Sequence, residues 1–240
     1  MMDNRGLPKI VVLTGAGISA ESGIRTFRDS GGLWEEHDIM DVATPEGWKK
    51  NPELVTRFYN ARRTQLNSVK PNDAHFALTK LQSFFDVKIV TQNVDNLHER
   101  AGNQDVLHLH GELVKARSEK HFDLVYEIGY REIKMGEKCE KGFQLRPHIV
   151  WFGEDVPLIV DASRYVAEAE ILVVIGTSLN VYPAAGLLYH APYGCEKYLV
   201  DPSDLQIDNL FRLKHFKTTA GKGVPMLVDE LIKRFYPDMT

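Results

Sequence analysis

Hydrophobic positions along the chain fall into two textures. Residues 10–13 (IVVL) and 171–175 (ILVVI) are apolar at consecutive rather than alternate positions, and 87–91 (VKIVT) is a similar run broken by Lys88. Such short β-branched runs predict strands buried on both faces. Residues 106–109 and 198–200 are shorter candidates, and 147–154 (PHIVWFGE) resumes an apolar strand. Between them lie amphipathic stretches. Asn51-Pro52-Glu53 reads as an N-cap, a first-turn proline and a first-turn acid, predicting a helix to about residue 67. Pro71-Asn72 starts a second, with Ala74, Ala77, Leu78 and Leu81 on its inner face. Others are predicted after the loop 92–98, at 157–169, at 183–190 and at 225–235. Strands alternating with helices predict an α/β fold, a Rossmann-like parallel sheet with helices on both faces.

The texture changes over 115–146, which is rich in charge and poor in core residues. There Phe122, Leu124, Tyr126, Ile128 and Tyr130 alternate at period two, predicting a strand with one buried face. Segments 37–67 and 114–147 are accordingly expected to form a smaller inserted domain. The main domain would comprise 1–36, 68–113 and 148–240.

The stretch following the first strand carries the first chemical signal. Gly15-Ala16-Gly17-Ile18-Ser19-Ala20 is a G-x-G-x-x-A turn. Small residues there let backbone N–H groups approach a pyrophosphate at the positive end of a following helix. A tight turn without a ligand fits the glycines equally well. Arg25, Phe27 and Arg28 stand where an ordinary dinucleotide fold continues a long helix. The acid that holds a ribose roughly 20 residues after the glycines should end a second buried strand; this window has acids but no apolar run. Hydride transfer is therefore the less expected chemistry.

Composition narrows the classes. The 240 residues are 43% hydrophobic and carry a formal net charge of −4, which argues against general nucleic-acid or membrane-surface binding. No apolar run approaches the roughly 20 residues that span a bilayer, and MMDNRGLPKI lacks a signal-peptide core. Two cysteines, Cys139 and Cys195, make no disulfide framework, so a reducing cytoplasm is the simplest compartment.

GAGISAESGIRTFR, TQNVDNLH, LHLHGEL, VWFGE and GTSLNVYPAAG together resemble the sirtuins, NAD-consuming protein-lysine deacylases. The likeness covers nearly the whole chain, and the text is most similar to the bacterial and mitochondrial-type members that remove acidic acyl groups. The resemblance implies that Gly15, Ala16, Gly17, Glu21, Arg25, Thr26, Phe27, Arg28 and Trp34 wrap NAD, with Arg28 neutralising a phosphate. Gln92, Asn93 and Asp95 would line the nicotinamide and its ribose, Asn93 and Asp95 joining His110 in catalysis. Gly176, Thr177 and Ser178 would supply a second phosphate or ribose contact, and Asp201 and Ala220 the adenosine side. Val150, Phe152, Gly153, Glu154 and Val181 would hold the acyl-lysine peptide, largely by main-chain pairing.

His110 would be the general base, since histidine titrates near neutral pH. The family's chemistry has the acyl oxygen attack C1′ of the ribose as nicotinamide leaves. The base then helps a ribose hydroxyl attack the resulting imidate, and the products are free lysine, nicotinamide and O-acyl-ADP-ribose. His108 lies two residues earlier on the same strand face, and only the motif favours His110. Tyr59 and Arg62, three apart on a helix, share a face. In the acidic-acyl sirtuins such a pair binds the succinyl or malonyl carboxylate, and an arginine fork with a phenol suits that task. The alternative for this pair is an ordinary basic helix face, with Arg63 solvated beside Arg62.

Two departures stand out. Most sirtuins hold a zinc ion on two cysteine pairs in the interval after the HG motif. Here that interval contains Cys139 alone, with Ser118 roughly where a first cysteine belongs, and His121 and His148 at unsuitable spacing. The expectation is no zinc, the run from Phe122 to Tyr130 replacing it by apolar burial. Leu199 stands where relatives have an asparagine for the adenosine ribose, while Asp201 keeps the acid, so adenosine would be bound more weakly or be met by backbone groups near Ala220. The expected protein is a cytoplasmic monomer acting on acyl-lysine proteins, a deacylase of succinyl, malonyl and acetyl groups. An ADP-ribosyltransferase or NAD glycohydrolase, or a non-catalytic NAD sensor that binds a partner, are the alternatives.

Overall fold

A computed structural model describes residues 6–24, 33–34, 37–177, 179, 181–204 and 213–239; the side chains of Leu33, Trp34 and Met239 are not described. In chain order the elements are β1 (Lys9–Thr14), β2 (Leu33–Trp34), β3 (His37–Asp38), α1 (Ile39–Val42), α2 (Pro45–Lys50), α3 (Pro52–Ser68), α4 (Asp73–Leu81), β4 (Asp86–Thr91), α5 (Leu97–Arg100), β5 (Val106–His108), β6 (Gly111–Ser118), β7 (Val125–Glu127), β8 (Leu145–Ile149), α6 (Ile159–Ala167), β9 (Ile171–Ile175), β10 (Glu196–Val200), β11 (Leu213–Phe216) and α7 (Ala220–Phe235).

Six strands form one sheet in the order β11-β10-β9-β1-β4-β5, and every pairing in it is parallel. The chain lays β4 and β5 on one side of β1, then crosses to lay β9, β10 and β11 on the other. The order therefore reverses between β1 and β9, the place where open parallel sheets bind ligands. Consecutive residues of β1 feed opposite cores. Ile10 and Val12 pack with Leu78 of α4 and Leu227 of α7, while Val11 and Leu13 pack with Val166 of α6 and Leu188. That two-sided burial is what the uninterrupted apolar run predicted.

The second region is an antiparallel sheet, β7-β6-β8, beside α1–α3. Helix α3 starts where its signals put it: Asn51 Oδ1 accepts from Leu54 N at 3.0 Å, with Pro52 in the first turn. Its Val55, Phe58 and Leu66 join Leu113, Ile149 and Trp151 in a third core. A small fourth core gathers Ala116, Ile128, Ile133, Cys139 and Leu145.

Several expectations are corrected. The alternating run 122–130 yields only the three residues of β7, and Phe122 is 57% exposed. Its ring lies beside the Arg117 guanidinium, 4.6 Å from the ring centroid, instead of in the core. The 147–154 strand ends at Ile149, after which the chain turns. Helix α7 begins at Ala220, five residues before Pro225, because its cap comes from far away: Glu21 accepts from Thr219 Oγ1 at 3.0 Å and from Gly221 N at 2.6 Å. The sequence reading missed β6, whose charged Lys115 and Arg117 hide a strand. Both are buried or half-buried in ion pairs, Lys115 with Glu112 and Arg117 with Glu154.

Ser118 and Cys139 meet in the fourth core, Sγ donating to Oγ at 3.4 Å. The serine hydroxyl in turn accepts from the N–H groups of Lys120 and His121. A serine hydroxyl does not serve as a structural zinc ligand. Among the described residues no three histidine, cysteine or acidic side chains converge to hold a metal ion. The residues present do not fit a zinc site.

Candidate active site

The carboxyl ends of β1, β4, β9 and β10 open into a cleft of about 760 Å³. Every described residue whose side chain was expected in the site lines it: Gly15, Ala16, Gly17, Glu21, Tyr59, Arg62, Gln92, Asn93, Asp95, His110, Val150, Phe152, Gly153, Glu154, Gly176, Thr177, Val181, Asp201 and Ala220. Arg25, Thr26, Phe27, Arg28 and Ser178 lie outside the described residues, as does the side chain of Trp34.

The floor is two loops in backbone contact. Gly15 N donates to Ile175 O at 3.0 Å and Gly17 N to Gly176 O at 2.8 Å. A Cβ at Gly17 would lie 2.5 Å from Gly176 Cα, and Gly176 has φ +59°. This corrects the phosphate argument for Gly17: its N–H is already engaged, and its lack of a side chain serves the junction of β1 with β9. Among the described residues this loop continues only as two short 3-10 turns, Ala16–Ile18 and Ala20–Ser22, so it brings no long helix of its own to the cleft.

Beside this floor the loop after β4 is held as a unit. Asn93 Nδ2 donates to Gly15 O at 3.1 Å and to Ser19 Oγ at 3.2 Å, and Ser19 Oγ donates to Asp95 Oδ2 at 3.0 Å. Asp95 Oδ1 accepts from Leu97 N at 3.1 Å. Burial pushes the Asp95 carboxyl up, against the pull of these hydrogen bonds. Ser19 was missed as a site residue; its place within the G-x-G-x-x-A turn, polar among small residues, was the available signal. Gln92 Nε2 donates to Thr177 Oγ1 at 3.2 Å, tying this loop to the one after β9.

The two candidate histidines separate cleanly. His110 is half-buried, with Nδ1 3.0 Å from Gln92 O. A carbonyl only accepts, so Nδ1 carries the proton and Nε2 is left with a lone pair. Burial lowers the His110 pKa, so the ring is neutral at pH 7 and able to accept a proton. His108 has both ring nitrogens engaged, by Asn93 O and Glu99, and does not line the cleft.

At the other end Tyr59 and Arg62 of α3 face the same cleft. Tyr59 is fully buried and accepts from Trp151 Nε1 at 3.1 Å. Burial raises its pKa, which keeps the phenol a hydrogen donor. The Arg62 guanidinium lies 5.5 Å from the Phe58 ring centroid. Arg63 is fully buried, unlike the solvated neighbour of an ordinary basic face: Nε donates to Leu113 O and Nη1 to Asn60 Oδ1, both at 2.6 Å. Trp151 was not anticipated, because its link to Tyr59 joins residues 92 positions apart.

Other roles are corrected. The Glu154 carboxylate is taken up by Arg117, Arg146 and Trp151 N. Burial would raise its pKa, but the Arg146 bond and the surrounding guanidinium charge hold it below the usual carboxylate value. Of the stretch expected to pair with a peptide, Val150 N donates to His110 O, Phe152 N to Ala43 O and Glu154 N to Trp151 O. A continuous ladder is therefore not available; carbonyls and the Gly153 N–H are what this edge offers. Glu21 engages Thr219 and Gly221, as above, and Asp201 Oδ1 accepts from Ser203 N at 2.9 Å. Leu199 is fully buried against the α6 layer, so period two turns its side chain away from the cleft, which it does not line.

A family model described as "Sir2 family" matches residues 15–183. A Bacteroides thetaiotaomicron protein named NAD-dependent protein deacylase is 52% identical over 231 residues, 94% of this chain and 99% of that protein. A Helicobacter pylori protein of the same name is 56% identical over 196 residues, 82% of this chain and 83% of that one. Among solved structures, a Sir2 homologue–NAD complex superposes with a TM-score of 0.85 at 36% identity, covering 94% of this chain and 90% of that one.

Proposed function

The chain belongs to the Sir2 family, and on that premise we propose that it is an NAD-dependent protein-lysine deacylase that takes acidic acyl groups, succinyl and malonyl, as well as acetyl. The overall reaction consumes acyl-lysine, NAD and water and yields lysine, nicotinamide and O-acyl-ADP-ribose.

The observation that carries the deacylase reading is His110. Its Nδ1 contact with Gln92 O leaves Nε2 as the acceptor in the cleft that Asn93, Asp95 and the glycine floor also line. In that position it takes the proton of a ribose hydroxyl. Asp95 is the buried carboxylate nearest in sequence, and favours positive charge developing on the sugar. Asn93 and Gln92 supply amides that orient the nicotinamide without adding charge. Gly15, Gly17, Gly176 and Thr177 form the floor beneath the phosphates, and Asp201 and Ala220 sit at the adenosine end.

The acidic-acyl reading is supported by Tyr59 and Arg62, a phenol and a guanidinium on the same cleft as His110. A carboxylate accepts from both without further rearrangement of charge. The test uses matched acetyl- and succinyl-lysine peptides, with nicotinamide release as readout. Arg62→Met is expected to cut kcat/KM for the succinyl peptide by about 100-fold, the loss of a charge-assisted pair of bonds. Acetyl turnover should change by less than about threefold. Equal effects on both peptides would remove the acidic-acyl assignment while leaving deacylation intact. Nicotinamide release that needs no acyl peptide would favour an NAD glycohydrolase.

Among the described residues no helix is long and apolar enough to cross a membrane, and Cys139 and Cys195 are free and buried. Both suit the cytoplasm, where we place the protein.

A further inference from the structure

His108 does not touch the cleft, yet it lies under the loop that carries Asn93 and Asp95. Its side chain is buried, with Nδ1 3.0 Å from Asn93 O and Nε2 2.8 Å from Glu99 Oε1. A carbonyl oxygen accepts and never donates, and an ionised carboxylate does the same. Making both bonds together needs a proton on each ring nitrogen, which is the imidazolium.

Its surroundings suit that charge. Glu99 from α5 is its ion-pair partner, Glu112 on β6 and Asp95 on the loop add negative potential, and His98 of α5 is held neutral by burial. Burial alone would lower the His108 pKa, but the Glu99 bond and the charges of Glu99 and Glu112 turn the shift upward. In return the charge on His108 pulls Asp95 back toward its ionised form, against burial.

The geometry extends along the strand. Three consecutive carbonyls of the catalytic loop are each held by the 108–113 segment. His110 Nδ1 meets Gln92 O at 3.0 Å, His108 Nδ1 meets Asn93 O at 3.0 Å, and Leu113 N donates to Val94 O at 2.8 Å. The two rings stand two residues apart and make the same Nδ1 contact. They differ at Nε2, which the Glu99 carboxylate engages in His108 and which no residue engages in His110 among those described.

We propose that His108 is a positioning residue for deacylation: as a cation paired with Glu99 it pins the peptide between residues 93 and 94, keeping the Asn93 amide and the Asp95 carboxylate at the cleft. The catalytic part of this rests on the function proposed above; the clamp itself does not.

Two near-isosteric substitutions separate the two bonds. His108→Asn puts an amide nitrogen where Nδ1 stood and keeps the link to Asn93 O. His108→Gln puts one where Nε2 stood and keeps only the link to Glu99. Amide hydrogen exchange of residues 92–97 should rise in His108→Gln and stay near wild type in His108→Asn. With NAD and an acyl-lysine peptide, His108→Gln should lose about tenfold in kcat with little change in peptide KM, the pattern of a displaced catalytic group. His108→Asn should keep kcat within about threefold.

The wild-type rate should fall on the alkaline side as His108 becomes neutral, because the Glu99 carboxylate keeps the remaining proton on Nε2 and Nδ1 can no longer donate to Asn93 O. Glu99→Gln should move that limb to lower pH, and His108→Asn should abolish it. Wild-type exchange in His108→Gln, or equal kcat losses in both variants with unaltered exchange, would overturn the clamp. Should the wild-type protein release no nicotinamide with any acyl peptide, the proposed function fails, while the exchange contrast still decides the clamp.

Discussion

At the scale of single residues, the site is governed by which polar atoms already have partners. His108 and His110 look alike in the sequence, on one face and two apart. Only the fold, by bringing Glu99 to one Nε2 and leaving the other facing the cleft, separates the proposed cation from the proposed base. This gives a pH prediction. The lowered His110 pKa places the acid limb of kcat/KM below pH 6.5, with activity rising as His110 becomes neutral. An acid limb above pH 7 would contradict the burial argument. Two further histidines set acid stability. His75 and His98 are fully buried with ring centroids 5.0 Å apart, and burial lowers both pKa values, that of His75 to about 4. Both are neutral in the fold but take up protons in the unfolded chain below about pH 6.5. Their contribution is therefore constant above that pH and becomes unfavourable as pH falls toward 4, by about 3 kcal/mol for His75. Tm should drop over that window, and His75→Asn should flatten the drop. Arg62 and Arg63 show the limit of local reading: neighbours in sequence, they divide between cleft and core because α3 turns about 100° per residue.

At the scale of elements, what was legible is what local chemistry dictates. The runs at β1 and β9 are buried on both faces, as their short, consecutive β-branched residues predict. Asn51-Pro52 and Asn72 carried their caps in the sequence, and both helices start there. The misses share a cause: a partner distant in sequence. Helix α7 is capped by Glu21, about 200 positions away. In strand β6 the Arg117 charge is neutralised by Glu154, 37 positions away. The glycine turn was legible as a turn, but its reason was not. Gly17 is required by Gly176, a contact that exists only once β1 and β9 pair. Gly17→Ala is therefore expected to separate these loops. Overpacking of this kind costs roughly 1–3 kcal/mol, and NAD-dependent stabilisation of Tm should weaken with it because the cleft floor is displaced. An alanine variant with wild-type Tm and an undiminished thermal shift on NAD would show that the junction is looser than the backbone contacts indicate.

At the scale of the whole molecule, two assemblies meet at the cleft, and they are held by different physics. The parallel sheet is fastened by two apolar layers, and its strand order puts the ligand site at the reversal between β1 and β9. The antiparallel sheet β7-β6-β8 has a much smaller core, and Tyr59, Arg62 and Trp151 of the cleft depend on its neighbourhood. The family resemblance implies a zinc-held region at this place in most members. Here the Ser118–Cys139 contact lies among Ala116, Ile128, Ile133 and Leu145, and no metal-ligand group forms among the described residues. Burial of large apolar side chains at about 1.5–3 kcal/mol each is then what keeps the region folded, and chelation should not touch it. Purified protein dialysed against a strong chelator is expected to retain its Tm and its deacylase rate and to hold far less than one zinc per chain. Leu145→Ala should instead lower stability by about 2–5 kcal/mol through loss of burial and a residual cavity. It should also raise the KM for the acyl peptide more than that for NAD, since Leu145 opens β8, whose end carries Trp151 to Tyr59. Stoichiometric zinc, or unfolding on chelation, would show that a metal rather than this core closes the region.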